Sequence, residues 1–232
     1  MIEKDIIGIV GGMGSYATAY FFRKIIDSFP AEKEWERPRI IIDNNCVMPS
    51  RVRAILYNEN VDELVDELSK SVDGLVSLGC NKIILACITS HYFLNSLNIT
   101  YPHLFTSIDL LKGTVDAIKE KEVYICCTEG TAQTRLWDSY FQKDTQIIYP
   151  DEHELRKLRI FIEAVKKNNI NTEIIESFAE FISKAPCKSI ILGCTELPVL
   201  YDLIKSQDNK LNKIVYDPLQ CGIEILKESL EK

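Results

Sequence analysis

Two of the eight cysteines in this 232-residue chain stand apart from the rest. Cys87 closes the apolar run Ile83-Ile84-Leu85-Ala86 and is followed by Ile88-Thr89-Ser90-His91; Cys194 closes Ile190-Ile191-Leu192-Gly193 and is followed by Thr195-Glu196-Leu197-Pro198. A free cysteine is ordinarily a small buried hydrophobe, and Cys46, Cys80, Cys126, Cys127, Cys187 and Cys221 are read that way. A thiol set where an apolar run gives way to hydroxyl side chains suits a different use. A helix N-terminus or a nearby cation lowers a thiol's pKa from about 8.5 toward the range in which the thiolate acts as a base. Two such thiols on opposite faces of one carbon could remove a proton from one side and return one to the other.

A second candidate is the glycine-rich stretch Gly8-Ile9-Val10-Gly11-Gly12-Met13-Gly14, which ends an apolar run and opens an amphipathic one with Ser15 as the expected N-cap. Glycines let backbone approach a ligand closely, and the free N–H groups of a helix N-terminus hold an anion. Gly12-x-Gly14-x-x-Ala17 also fits a dinucleotide fingerprint, but that pattern needs an acidic residue about 20 positions on. The next strand brings its first acid only at Asp43. A carboxylate is therefore the expected ligand of Gly12, Met13 and Gly14, rather than a nucleotide.

The elements that must position these groups alternate in type. Strands are expected at Ile6–Val10, Arg39–Ile42, Lys82–Ala86, Glu122–Cys126, Gln146–Ile148, Ser189–Leu192 and Lys213–Tyr216. Helices are expected at Tyr16–Phe29, Asn60–Leu78, Glu152–Lys167, Thr172–Ser183 and Gln220–Leu230. Such alternation predicts an α/β fold with mostly parallel sheets. The two cysteine segments match each other, and Gly14-Ser15 with Thr18 matches Gly130-Thr131 with Thr134 at a similar spacing. Matched strand ends predict two similar, pseudo-symmetric α/β lobes with a cleft between them. Ligands of parallel sheets bind beyond the strand C-termini, where all four segments lie. The expected division is residues 1–110 for a lobe carrying Cys87 and 111–212 for a lobe carrying Cys194, with a linker near Asp109–Lys121. The strand and helix of 213–232 are expected to cross back to the first lobe.

Composition narrows the function classes. Hydrophobic residues make up 46% and charged residues 26%, the balance of a globular protein, and the net charge of −7 carries no basic block for nucleic acid. No apolar run approaches the roughly 20 residues of a membrane span, and Met1–Asp5 leads into a strand without a signal-peptide core, so a cytoplasmic protein is expected. No C-x-x-C pair or other metal-ligand spacing is present.

At the cysteine segments the sequence resembles the aspartate/glutamate racemase family, its aspartate racemase branch more closely than the glutamate racemases of cell-wall synthesis. The resemblance is carried by Ile7–Gly14 with Ala17-Thr18, Cys87–His91, Thr128-Glu129-Gly130-Thr131 and Leu192–Pro198, in the family's order across nearly the whole chain. It implies two α/β lobes with the site between them, no pyridoxal phosphate or metal, and Cys87 and Cys194 as the catalytic pair. It further implies Arg51 at the substrate's distal carboxylate, Lys166 at a carboxylate, and Thr89, Ser90 and Thr195 as donors to the α-carboxylate. Thr131 and Glu196 fall within the matched segments and are expected at the substrate, and His91 is expected to support the site. A homodimer acting on a small acidic amino acid, aspartate or glutamate, is the implied form.

One position departs from the pattern. Where the family has Cys-Asn-Thr, this chain has Cys87-Ile88-Thr89. Ile88 cannot make the hydrogen bond of that asparagine, and one buried polar contact is worth about 1–3 kcal/mol in selectivity. The departure keeps other readings in view: a decarboxylase, which would need only one of the cysteines, a maleate-isomerase-like enzyme, or an idle binding protein.

Overall fold

The computed structural model describes residues 5–142, 144–206 and 211–230. The reading of Met1–Lys4 as a leader-free start lies outside them. Eight strands form two four-stranded sheets of the same order. The first contains β1 (Ile6–Gly11), β2 (Arg39–Asn44), β3 (Lys82–Leu85) and β4 (Thr106–Ile108) in the order β2-β1-β3-β4; the second contains β5 (Glu122–Cys127), β6 (Gln146–Ile148), β7 (Ser189–Gly193) and β8 (Ile214–Tyr216) in the order β6-β5-β7-β8. Every pairing is parallel. Parallel strands covered on both faces read as unbroken apolar runs, and the run Ile7–Gly11 and all of β7 are buried accordingly.

Helices α1 (Ser15–Ser28), α2 (Arg51–Tyr57), α3 (Val61–Ser77), α4 (Leu110–Ala117), α5 (Glu129–Thr134), α6 (Glu152–Lys166), α7 (Thr172–Ser183), α8 (Leu197–Ser206) and α9 (Pro218–Leu230) surround the sheets. Helix α1 buries Ala17, Phe21 and Ile25, a four-residue repeat that makes one face of an α-helix. Its N-cap is Gly14 rather than Ser15, whose hydroxyl instead bonds Asn44, the last residue of β2, and Cys46 just after it. The expected linker at 109–121 contains α4, started by the Asp109 carboxylate, which accepts from the N–H groups of Leu111 and Lys112. Among the described residues, no helix is long and apolar enough to cross a membrane.

One apolar cluster joins the lobes. Ile9, Phe21 and Ile84 from the first half pack with Ile125, Trp137 and Ile191 from the second, and α9 adds Leu219, Ile223 and Leu226. Strand β8 stays with the second sheet, whereas α9 lies against α4 and reaches α1 and β4. A polar clamp works beside this core: Asp202 of α8 takes an ion pair from Lys24 at 2.6 Å and a hydrogen bond from Tyr20 at 2.9 Å, both on α1. These contacts tie the first half of the chain to the second.

Candidate active site

Each sheet has its switch point between its two central strands, where the chain leaves β1 and β3, or β5 and β7, in opposite directions. The glycine stretch follows β1, Cys87 follows β3, Thr128–Thr131 follows β5 and Cys194 follows β7. Helix α2 of the first half packs on α5 of the second over these strand ends. Tertiary structure therefore gathers all four sequence segments.

In the glycine loop, Gly12 has φ of +80° and its missing Cβ would strike the backbone of Asn45, so only glycine fits. Thr18 ties the loop to the helix: its hydroxyl accepts from the Gly12 N–H at 3.1 Å and donates to the Gly14 carbonyl at 3.0 Å. Arg51, the first residue of α2, reaches back into the same loop. It donates Nη2 to the Met13 carbonyl at 2.9 Å and Nη1 to Pro49 at 2.8 Å, while its buried Nε has no partner. The cation is thus oriented by backbone and keeps an N–H free.

Both cysteines are nearly buried, Cys87 at 8% and Cys194 at 7% exposure. Around Cys87, the Ser90 hydroxyl donates to the Cys87 carbonyl at 2.7 Å and His91 Nδ1 donates to the same oxygen at 2.9 Å. The Ser90 hydroxyl proton is thereby committed, which leaves its backbone N–H as the donor for a ligand. Burial pushes His91 below its ordinary pKa, in keeping with a neutral ring that braces the loop. Ile88 packs within the apolar cluster that joins the lobes, at 1% exposure. Thr89 crosses to the other half, 3.0 Å from the Thr128 hydroxyl and 3.1 Å from that of Thr131; the last two lie 3.2 Å apart. Thr128 is not among the residues expected at the substrate, yet its hydroxyl joins Thr89 and Thr131, and its place three positions before Thr131 is a readable N-cap signal. It caps α5 by accepting from the Thr131 N–H.

Cys194 has a carboxylate instead. Its Sγ donates to Glu196 Oε2 at 2.9 Å, and the Thr195 hydroxyl donates to the same oxygen at 3.3 Å. Glu196 is buried, and its other oxygen, Oε1, has no hydrogen-bond partner and lies over Gly14 where a Cβ would be. Burial first, and then the Glu196 charge, push the Cys194 thiol well above its ordinary pKa, with Lys166 pulling the other way. Lys166, at the end of α6, is about two-thirds buried, with Glu163 at 4.0 Å. Burial works to lower its pKa, but Glu196 and then Cys194 outweigh it and the net direction is up; Arg51 and Cys87 also act on it. Lys166 and Cys194 thus feel each other's charge, with Arg51 and Cys87 acting on the lysine and Glu196 on both. Among the described residues, no group of three or more His, Cys, Asp or Glu side chains could hold a metal ion.

Two α/β halves of the same sheet order, each with a cysteine after its third strand in sequence, make a fold shared with known racemases. The Picrophilus torridus aspartate racemase has this fold, with a TM-score of 0.83 at 24% identity over 98% of this chain and 95% of that one. A Francisella tularensis glutamate racemase solved with D-glutamate superposes at a TM-score of 0.69, with 16% identity over 100% of this chain and 82% of that one. The chain belongs to the Asp/Glu/hydantoin racemase family, whose sequence model matches residues 10–226. It is also 27% identical over 218 residues to the broad specificity amino-acid racemase RacX of Bacillus subtilis strain 168, covering 87% of this chain and 90% of that protein. It is accordingly an isomerase of the amino-acid racemase type.

Proposed function

We propose that the protein racemises an acidic amino acid, aspartate or glutamate, by two-base proton transfer between Cys87 and Cys194 and without a cofactor. The observation that carries this reading is a pair of unmet charges in one site: Arg51 retains a buried N–H without an acceptor, and Glu196 retains a buried oxygen without a donor. A buried polar atom left unpaired costs about 1–3 kcal/mol. An amino acid brings both missing partners, a carboxylate for Arg51 and an α-ammonium for Glu196. Lys166 adds a second cation, which suits a substrate with two carboxylates.

With the substrate so held, one cysteine thiolate takes the α-proton, the electron pair passes to the α-carbon and its carboxylate, and the other cysteine's thiol delivers a proton to the opposite face. Arg51 and Lys166 oppose the negative charge that develops, an effect strengthened by exclusion of water. The Thr89 hydroxyl and the N–H groups of Ser90 and Thr195 serve as further donors to the α-carboxylate, while the Thr195 hydroxyl stays with Glu196, and the backbone of Gly12 to Gly14 closes the pocket. Protein incubated with each L-amino acid in deuterium oxide, followed by NMR, tests the reading. Loss of the α-proton together with appearance of the D-enantiomer is expected for aspartate or glutamate, and exchange confined to neutral amino acids would reject the acidic substrate.

A further inference from the structure

The two cysteines differ in one respect that racemisation alone does not require: a carboxylate is hydrogen-bonded to one sulfur. Cys194 donates to Glu196 at 2.9 Å, and the second donor to the same oxygen is the Thr195 hydroxyl at 3.3 Å. Space for that carboxylate comes from the opposite lobe. A Cβ on Gly14 would collide with Glu196 Oε1, while Gly14 itself is extended, with φ of −170°, a conformation open to any residue. The room left by this glycine is taken by the carboxylate and is not demanded by its backbone.

We propose that Glu196 is a positioning residue for the reaction, one that holds Cys194 as the thiol of the pair with its proton directed along a fixed bond, and that Gly14 is glycine to admit it. The inference rests on the two-cysteine reading above and adds an order of events. The charged and titratable groups acting on Cys194 are Glu196 and Lys166, which oppose each other, and Cys87 across the cleft. Glu196 is the only one in hydrogen-bond contact with the sulfur among the described residues. The free enzyme thereby presents a proton donor on the second lobe, and the first base is Cys87. When Cys87 has taken the α-proton, the Cys194 S–H bond breaks, its electron pair stays on sulfur, and a C–H bond forms on the opposite face of the α-carbon. The thiolate so formed next to Glu196 is the less favourable state, which favours return of the enzyme to its starting form.

The test reads the sulfur without substrate. Each protein is treated with iodoacetamide across a range of pH, and the labelling rate of the Cys194 peptide is followed by mass spectrometry. The exposed Cys46 serves as a reference in the Glu196→Gln protein, and the fully buried Cys126 and Cys127 as a check on folding in both variants. Because a thiolate is the reactive form, removing the negative neighbour by Glu196→Gln should move the Cys194 profile to lower pH. At a fixed neutral pH its labelling should be about tenfold faster or more, the equivalent of one pKa unit. Gly14→Ala should act in the same direction by pushing the carboxylate off the sulfur. An unchanged or slower Cys194 rate in a folded Glu196→Gln protein would overturn the proposal. If Glu196→Gln exposes Cys126 and Cys127 to label, Gly14→Ala decides by the same rates. Racemisation plays no part in this readout, so its absence would count against the proposed function and leave the Glu196 role standing on its own result.

Discussion

Beyond Cys87 the chain winds into a 3₁₀ helix over Thr89–Ser96, and two of its first side chains bond back to the cysteine's own carbonyl. Beyond Cys194 the chain turns once and enters the regular helix α8, and a carboxylate two residues on bonds the sulfur itself. Both cysteines follow the same strand of their sheets, β3 and β7, in the same order and the same parallel sense. The difference therefore comes from side chains. Ser90 and His91 draw their hydrogen bonds from local backbone, the kind of competition that favours a tight turn over an α-helix. Duplication fixes where a sulfur sits; the residues just after it decide what the sulfur experiences.

The largest effect expected from this comparison lies in the sulfurs. Cys87→Ser and Cys194→Ser should each lower racemisation by about 10²–10⁴, the usual contribution of a general acid or base. Each should retain exchange of the α-proton with deuterium for one enantiomer only, and for opposite enantiomers. Exchange of the same enantiomer by both variants, seen by NMR, would break the comparison, since the two sulfurs would then lie on one face.

Next in size is the cation that the first lobe contributes. Arg51→Ala should weaken binding of dicarboxylic amino acids by about 1.5–3 kcal/mol, read as a raised KM, with a smaller change for neutral ones. Equal losses for both classes would make Arg51 a brace for the Met13 loop, to which it already donates.

Ile88 sharpens the contrast from the stability side. Because it lies in the cluster between the lobes, Ile88→Asn should cost about 1–3 kcal/mol in a denaturant melt unless the amide finds a partner. An Asn at that position that leaves stability unchanged would mean that its side chain reaches polar groups of the cleft. The smallest effect belongs to Ser90→Ala, which removes one donor from the Cys87 carbonyl. A loss of about 0.5–1.5 kcal/mol in stability with an unchanged KM is expected, and a raised KM would assign the hydroxyl to the substrate.

Much of the scaffold was legible in the sequence because its signals are local. The apolar runs at Ile6–Val10, Glu122–Cys126 and Ser189–Leu192 appear as strands within a residue of the expected ends, and the paired cysteine segments identified the duplication. The elements that escaped are mostly short: β4 has three residues, α2 and α5 have seven and six, and α4 and α8 have eight and ten. They matter to the site nonetheless, since α2 carries Arg51 and packs on α5. The sequence also misplaced the first cap, because Ser15 and Gly14 are both acceptable N-caps by type and only the path of the β2 loop engages the Ser15 hydroxyl elsewhere.

By itself the sequence determined the α/β class, the doubled plan and the pair of cysteines, since each rests on residue type and on spacings of a few positions along one strand or helix. Tertiary structure alone decided that Gly14 faces Glu196, that Arg51 bonds the Met13 carbonyl, that Thr89 meets Thr128 and Thr131, and that Lys166 is about two-thirds buried. The physical reason is distance along the chain. Each of these contacts joins segments from different elements, mostly from different lobes, and their geometry depends on how two separate sheets pack around one shared core. Charge interactions act through space rather than along the sequence, so Lys166 and Cys87 act on Cys194 only in the folded chain, whereas the bond from Cys194 to Glu196 is made two residues away.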